Sequence, residues 1–593
     1  MSLANYLFDE KTGFWCKPGY QSIGYTDGDD TEDRLLSILR QCVDVSSGSK
    51  MLLERISDWP TEYHLSPARH NLLRPFNIGR DNSVLELGCG CGAISRYLGE
   101  TGARVVAVEG SRKRAQISAE RCRDLSNVLL VCDNISEFET SERFDFITLI
   151  GVLEYAPLFI NDSYPLVKLL RHARTMLKED GVVLVAIENQ LGLKYFNGRS
   201  EDHTGIPFFG LHGLYSGSTP VTYGKNELES MLRRAGFEHI DFHYPFPDYK
   251  LPNIILSDEG ARHHDFSASE LLYRSESRDY ATERPSWFRE FLVWRVLHRN
   301  GMLPALSNSF LILAGPQSLS DRPSNWLART YTSQRLAEFS VETVFRNETN
   351  RITVSKQLVS PGTQMPSAAI GPLNIRHTPA ERSRYVPGQL HAAELIPIMA
   401  RGGGLDDVAA WAGPWLALLK RAASRNRNVC ILPGEWLDAI PSNLVLTDSG
   451  TLELIDQEWK ADDAVPLSWV IIRGFYSALS ACPLSPRLRS HSFRDVVGQV
   501  VAAANLDELT DPDYQQAAIL ENELQSAVCI RNLQGQRMLD VMNAPLGACC
   551  LPGSIHDALA AQDAEIHRIK SSLSWRISAP LRVLQNALRR LWN

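Results

Sequence analysis

The chain is predicted to fold as α/β: a mostly parallel sheet with helices on both faces, then an α+β unit and a short helical tail. The strongest sign is residues 83–100, "SVLELGCGCGAISRYLGE". An apolar strand, a turn holding Gly88, Gly90 and Gly92, and an apolar-faced helix follow one another directly. Beyond it, apolar runs alternate with helical patterns at the spacing of strand–helix–strand crossovers. The 593 residues exceed one ordinary core, so two or three domains are expected.

Each element follows from its own pattern. "ARVVAVEG" reads as a second strand ending at Glu109, and "SRKRAQISAERCRD" as a helix. "NVLLVCD" is a third strand ending at Asp133, and "FDFITLI" a fourth. "PLVKLLRHARTML" is a helix, "GVVLVAIEN" the fifth strand, and "GKNELESMLRRAGF" a helix with glycine near its end, followed by the strand "EHIDFHY". "SNSFLILAG" supplies a further strand of the same sheet, which makes residues 246–306 an insertion. "GPQSLSDRPSN" reads as a linker from its glycine, prolines and serines. The expected division is an N-terminal extension over 1–60, a first domain over 61–316, a linker over 317–324, a second domain over 325–545, and a tail over 554–593.

Composition narrows the function. Hydrophobic content of 44% and charged content of 22% are those of a soluble globular protein. A formal net charge of −8 argues against a chain-wide nucleic-acid binder, which needs a basic footprint, so no nucleic-acid partner is expected. The 11 cysteines have no metal-site spacing and suit a reduced compartment. The N-terminus lacks the pattern of a secretory signal, and no apolar run reaches bilayer length. A cytoplasmic protein, or one peripheral to the inner face of the cytoplasmic membrane, is expected.

The glycine turn points to a nucleotide, since glycine permits the tight turn and the helix N-terminus offers free N–H groups. Gly88-x-Gly90-x-x-Ala93 meets the dinucleotide fingerprint, so an NAD-dependent sugar-modifying enzyme is one reading. Glu86, two residues before the first glycine, would be a poor neighbour for a pyrophosphate. Glu109 ends the second strand, where an acid can accept both ribose hydroxyls, and Asp133 ends the third, where it can meet an adenine edge. This ordered set resembles the class I S-adenosylmethionine-dependent methyltransferases, over roughly residues 60–316. The resemblance implies a Rossmann-like seven-stranded domain whose glycine loop approaches the methionine part of S-adenosylmethionine. It also implies Glu109 on the ribose, and Asp133 and Ile135 on the adenine. "FDFITLIGVLEYAP" resembles the family's fourth-strand motif, with Glu154 at its acid and Tyr155 where many members carry histidine.

A sugar hydroxyl needs a general base during methyl transfer, whereas a phosphate oxygen needs none and favours nearby cations. "IENQLGLKYFNGRSEDHTGIPFFGLHG" follows the fifth strand, where loops form the active face. Glu188, Asn189, Asp202 and His203 mix there with Tyr195, Phe196, Phe208 and Phe209, a composition suited to a sugar ring. His203 is the candidate base, with Asp202 beside it; the alternative is a histidine with no catalytic part. Lys194 and Arg199 suit a phosphorylated acceptor. Upstream, Tyr63, His64, Arg69 and Arg74 precede the first strand, and Arg69 is a candidate partner for the methionine carboxylate. The loop wording resembles that of bacterial methyltransferases of lipopolysaccharide and surface-polysaccharide assembly.

In "GEWLDAIPSNLVLTDSGTLELIDQEW", Asp438 precedes Asn443 and Asp456 at the intervals of protein-kinase-like phosphotransferases. The resemblance implies that Asp438 orients an acceptor hydroxyl, that Asn443 and Asp456 hold Mg²⁺, and that Lys356 pairs with the phosphates of ATP. "RYVPGQL" resembles the hinge between lobes. Trp436-Leu437-Asp438 and Asp456-Gln457-Glu458 depart from the family's motifs, no glycine loop precedes Lys356, and little room remains for the helix that carries the lysine's glutamate. A methyltransferase joined to a kinase-like domain resembles the bifunctional chain terminators of O-antigen biosynthesis. These act on a polysaccharide or lipid-linked glycan.

The tail carries Leu573, Ile577, Leu581, Leu584, Leu588 and Leu591 on one helical face, with arginines off that stripe and Trp575 and Trp592 at its ends. A short coiled coil followed by a helix on an anionic inner-membrane surface is the expectation. A binding role is the other class of function: a scaffold or glycan-binding protein with a degenerate kinase domain, docked on a glycosyltransferase.

Overall fold

The computed structural model describes residues 5–551, apart from 25–27, 218, 283, 317–324, 333, 350, 361–364, 427–428 and 531–537. The coiled-coil and amphipathic-tail expectation, and the linker, lie outside the described residues.

Near the N-terminus β1 (Leu7–Asp9) and β2 (Phe14–Cys16) form an antiparallel hairpin. The main strands follow: β3 (Ser83–Leu87), β4 (Arg104–Glu109), β5 (Val128–Cys132), β6 (Phe144–Ile150) and β7 (Leu177–Glu188). They pair in parallel in the order β5-β4-β3-β6-β7, and β2 adds a parallel edge strand to β5. Next come β8 (His239–Phe246), β9 (Ile254–Ser257) and β10 (Ser309–Gly315), with β10 antiparallel between β7 and β8. The expected alternation and the late strand at 307–315 are therefore present. β7 starts ahead of the expected residue 181, with a bulge opposite Phe144 and Phe146.

Alternating residues of each strand feed separate cores, as a two-faced sheet requires. Leu85, Leu87, Val106 and Val108 pack on one face, and Val84, Val105 and Ala107 on the other. The insertion at 246–306 is more than a loop. Its strand β9 pairs with β8 on one side and with β11 (Trp326–Tyr331) on the other. β12 (Val341–Glu348), β13 (Arg351–Leu358) and the two-residue strand Ser383–Arg384 continue the sheet to 14 strands. Leu327, Ala328 and Phe345 share a core cluster with Leu85, so the sheet crosses the expected boundary at 316 without interruption.

Beyond β13 an antiparallel pair, β14 (Ser367–Ile370) and β15 (Leu373–His377), takes the place where a kinase's helix would lie; no helix lies there among the described residues. The rest is mainly helical, with short antiparallel strand pairs between the helices, and Trp415, Trp469 and Phe475 are fully buried in its core. No helix among the described residues is long and apolar enough to cross a membrane.

Candidate active site

The glycine turn joins β3 to the helix Ala93–Glu100, and Gly88, Gly90 and Gly92 all take left-handed φ of 82°, 56° and 80°. Close approach reinforces the demand. A Cβ on Gly88 would stand 2.6 Å from Val152 Cγ2, and one on Gly92 2.8 Å from Ser118 Cα. Glu109, at the end of β4, accepts Gly90 N–H at 2.8 Å and Ser111 N–H at 2.9 Å, so the carboxylate expected on the ribose also clamps the glycine loop. Glu86 is buried and accepts Ser95 Oγ–H at 2.5 Å; burial pushes its carboxyl up to about 7.

Glu86, Gly88, Gly90 and Glu109 line a cavity of about 430 Å³, together with Ile135 and Arg69. Arg69 is fixed, its guanidinium donating to the Tyr249 and Lys250 carbonyls at 3.3 and 3.2 Å and to Tyr63 Oη at 2.8 Å. Asp133 behaves otherwise. Tyr6 Oη–H donates to it at 2.5 Å and Lys17 pairs with it at 2.7 Å, so the residues flanking the N-terminal hairpin take the carboxylate expected on the adenine. Residues Ile135 and Ser136, just after it, form the wall there instead.

Past Arg69 the same cavity is lined by a charged group of side chains. Glu154, Glu188, Asp202, His203 and Lys250 all line it, with Trp59, Tyr63, Tyr155 and Tyr249 as its aromatic walls. The partner of His203 is Glu201, not Asp202. Glu201 takes His203 N–H at 3.0 Å and sits 3.0 Å from Nδ1, while Nε2 lies 3.8 Å from Glu154 Oε1. Burial opposes the imidazolium, yet Glu154 and Glu201 hold its pKa well above the ordinary histidine value. Asp202 points the other way. Lys194 pairs with it at 2.6 Å, Lys250 at 3.3 Å, and Tyr195 Oη–H donates at 2.5 Å. Burial opposes its charge, but the two ammoniums hold its carboxyl well below the usual range. Tyr155 stacks edge-on against His203, with centroids 5.4 Å apart.

Several side chains expected at the acceptor or beside the cofactor are tied into the fold instead. Lys194 is buried on Asp202 and Asp248, and Arg199 donates to Ser286 Oγ at 2.7 Å. Asn189 donates to the Ala305 and Ser307 carbonyls at 2.9 and 2.7 Å, Arg74 to Asn71 at 3.2 Å, and Phe196 is exposed. Glu201, and the cavity-lining Arg114, Tyr249 and Lys250, do not stand out in the sequence. Lys250 had a legible signal, because it follows the end of β8 on the face where the parallel strands end.

In the second domain the expected residues converge. Lys356, on β13, pairs with Asp456 and lies 3.3 Å from Glu458. Asn443 Nδ2 donates to the Asp438 and Asp456 carbonyls at 3.1 and 3.3 Å. Glu458 binds Arg335 at 2.6 Å, and Arg335 and Lys356 keep it ionised against the cost of burial. Asp438 is buried, accepts Trp459 N–H at 3.0 Å, and is pushed up to about 7 by burial. The expected strand–turn–strand before Asp456 is formed by Leu444–Leu446 and Leu452–Leu454.

Residues 61–241 match the model of a family described as a methyltransferase domain. Pavine N-methyltransferase of Thalictrum flavum subsp. glaucum is 29% identical over 77 residues, 12% of this chain and 22% of that protein. (S)-coclaurine N-methyltransferase of the same plant is 32% identical over 108 residues, 18% and 28% respectively. The chain thus spans less than a third of the length of either relative. Among solved structures, a possible histamine N-methyltransferase from Thermotoga maritima is 14% identical over 43% of this chain and 91% of that one, TM-score 0.25. N-methyltransferase NodS from Bradyrhizobium japonicum WM9, in complex with S-adenosyl-L-homocysteine, is 21% identical over 27% and 75%, TM-score 0.21.

Proposed function

We propose that the chain, whose methyltransferase domain uses S-adenosylmethionine, methylates a sugar hydroxyl of a bacterial cell-surface polysaccharide such as O-antigen. The observation that supports this reading is the single cavity that runs from Glu109 and the glycine loop to His203. The cofactor supplies a methyl group made electrophilic by its sulfonium. Glu109 and the glycine loop hold the ribose and methionine parts, and the aromatic walls orient the sugar for in-line attack. His203 Nε2 takes the hydroxyl proton as oxygen bonds to the methyl carbon and the carbon–sulfur bond breaks; Glu201 holds the Nδ1 side. His203 rests as an imidazolium and must lose that proton first, so the rate rises with pH.

Calorimetric titration with S-adenosylmethionine and with NAD tests this. Binding of the first alone, weakened about tenfold or more by Glu109→Ala, is expected. NAD binding, or unchanged affinity in the variant, would end the reading.

The second domain supports a further activity, phosphoryl transfer from ATP and Mg²⁺ to the glycan end, with a chain-terminating role. Lys356, brought onto Asp456 from 100 residues away in sequence, with Asn443 bonded to the Asp456 carbonyl, favours it. The tail would place the enzyme on an anionic inner-membrane surface, beside a glycosyltransferase. Millimolar ATP should raise Tm only with Mg²⁺, and Asp456→Asn should abolish the shift. No shift in the unsubstituted protein would leave this domain as a binding scaffold.

A further inference from the structure

We propose that the acceptor half of the cavity binds a divalent metal ion through Glu154, Glu188 and His203. The three come from separate segments: Glu154 from the turn after β6, Glu188 from the end of β7, and His203 from the loop beyond. One ligand atom of each lies within 4.8 Å of the other two. A shell of ~2.1 Å metal–ligand bonds sets neighbouring ligands about 3 Å apart, so small side-chain movements close the set.

A separate observation points to a ligand. Glu154 and Glu188 are 1% and 0% exposed, both line the cavity, and each keeps an Oε2 with no hydrogen-bond partner. A buried carboxylate oxygen left unpaired is costly, and two together at one site are more so. Lys250 pairs with the other oxygen of Glu188 and does not satisfy them. Glu201 then has a second meaning. By accepting from His203 at Nδ1 it leaves Nε2, 3.8 Å from Glu154 Oε1, to take the metal once its proton is displaced, the carboxylate–histidine arrangement that orients metal ligands.

Two carboxylates and one imidazole, with positions left open, suit a first-row ion such as Mn²⁺ better than the all-oxygen preference of Mg²⁺. With the ion bound, the acceptor oxygen would be held with a lowered pKa, its proton would leave to water and His203 would be a ligand; its role as base belongs to the metal-free site. This use rests on the methyltransferase reading, but the binding does not.

The test is Mn²⁺ binding to the full chain, stripped with chelator and carrying Asp456→Asn and His264→Ala to remove the second domain's candidate site and the His263–His264–Asp265 cluster. Electron paramagnetic resonance and calorimetry follow it without cofactor or acceptor. One equivalent is expected that Glu188→Gln and Glu154→Gln each weaken at least tenfold. S-adenosylmethionine affinity, measured separately, shows that the variants fold and judges the methyltransferase reading on its own. No stoichiometric binding, or binding that both variants leave unchanged, overturns the proposal.

Discussion

Glu86 sits where a negative charge is expensive. Its folded pKa of about 7 stands above the ordinary value of 4.5, so the fold binds this proton more tightly than the unfolded chain does. The resulting stability is complete below pH 4.5 and is lost as pH rises through about 7, a change of about 3 kcal/mol. Glu86→Gln should match the parent protein at pH 5 and exceed its stability at pH 8, as read by urea unfolding at both values. A variant less stable at pH 8 would show that the ionised carboxylate is held by contacts not seen here. His203→Ala should slow methyl transfer by about 10²-fold or more and leave cofactor affinity nearly intact. Glu86 and Glu109 were legible in the sequence because strand ends fix their offsets from the glycines. Glu201 was not. Which of two adjacent acids faces His203 depends on the turn's dihedral angles, and "SEDH" carries no periodic signal of them.

Elements show the same division. The alternation of strand and helix, the glycine turn and the late antiparallel strand were readable, because long apolar runs and glycines constrain the backbone strongly. Hairpin β1–β2 and strand β9 were not, since three or four residues are too short to show a period. Their consequences are testable. Tyr6→Phe removes a buried hydroxyl from Asp133 and should cost about 1.5–3 kcal/mol in thermal or urea unfolding, with cofactor affinity unchanged. A large loss of affinity would return Asp133 to the adenine site. Gly260, in the helix Asp258–Arg262, presses on β11: an added Cβ would fall 1.8 Å from the Leu327 carbonyl oxygen. Gly260→Ala should therefore destabilise the junction by about 1–3 kcal/mol or more. A loss below about 0.5 kcal/mol would mean that helix and strand separate freely.

For the whole molecule, the sheet decides how the two halves behave. Ending the chain at residue 316 would leave β9 without β11 and strip Leu327, Ala328 and Phe345 from a core shared with Leu85. Such a fragment exposes an edge strand and should aggregate or melt well below the full protein. The full chain should unfold in one calorimetric transition; two well-separated transitions would show that β9–β11 is a loose contact. A cell keeps or destroys a protein according to how often it opens. With one cooperative sheet, a small molecule seated in the cavity beside Glu109 lowers the opening of the whole chain, residues around Lys356 included. Supply of methyl donor would then govern the lifetime of the second domain as well, and starvation for it would deplete both halves together.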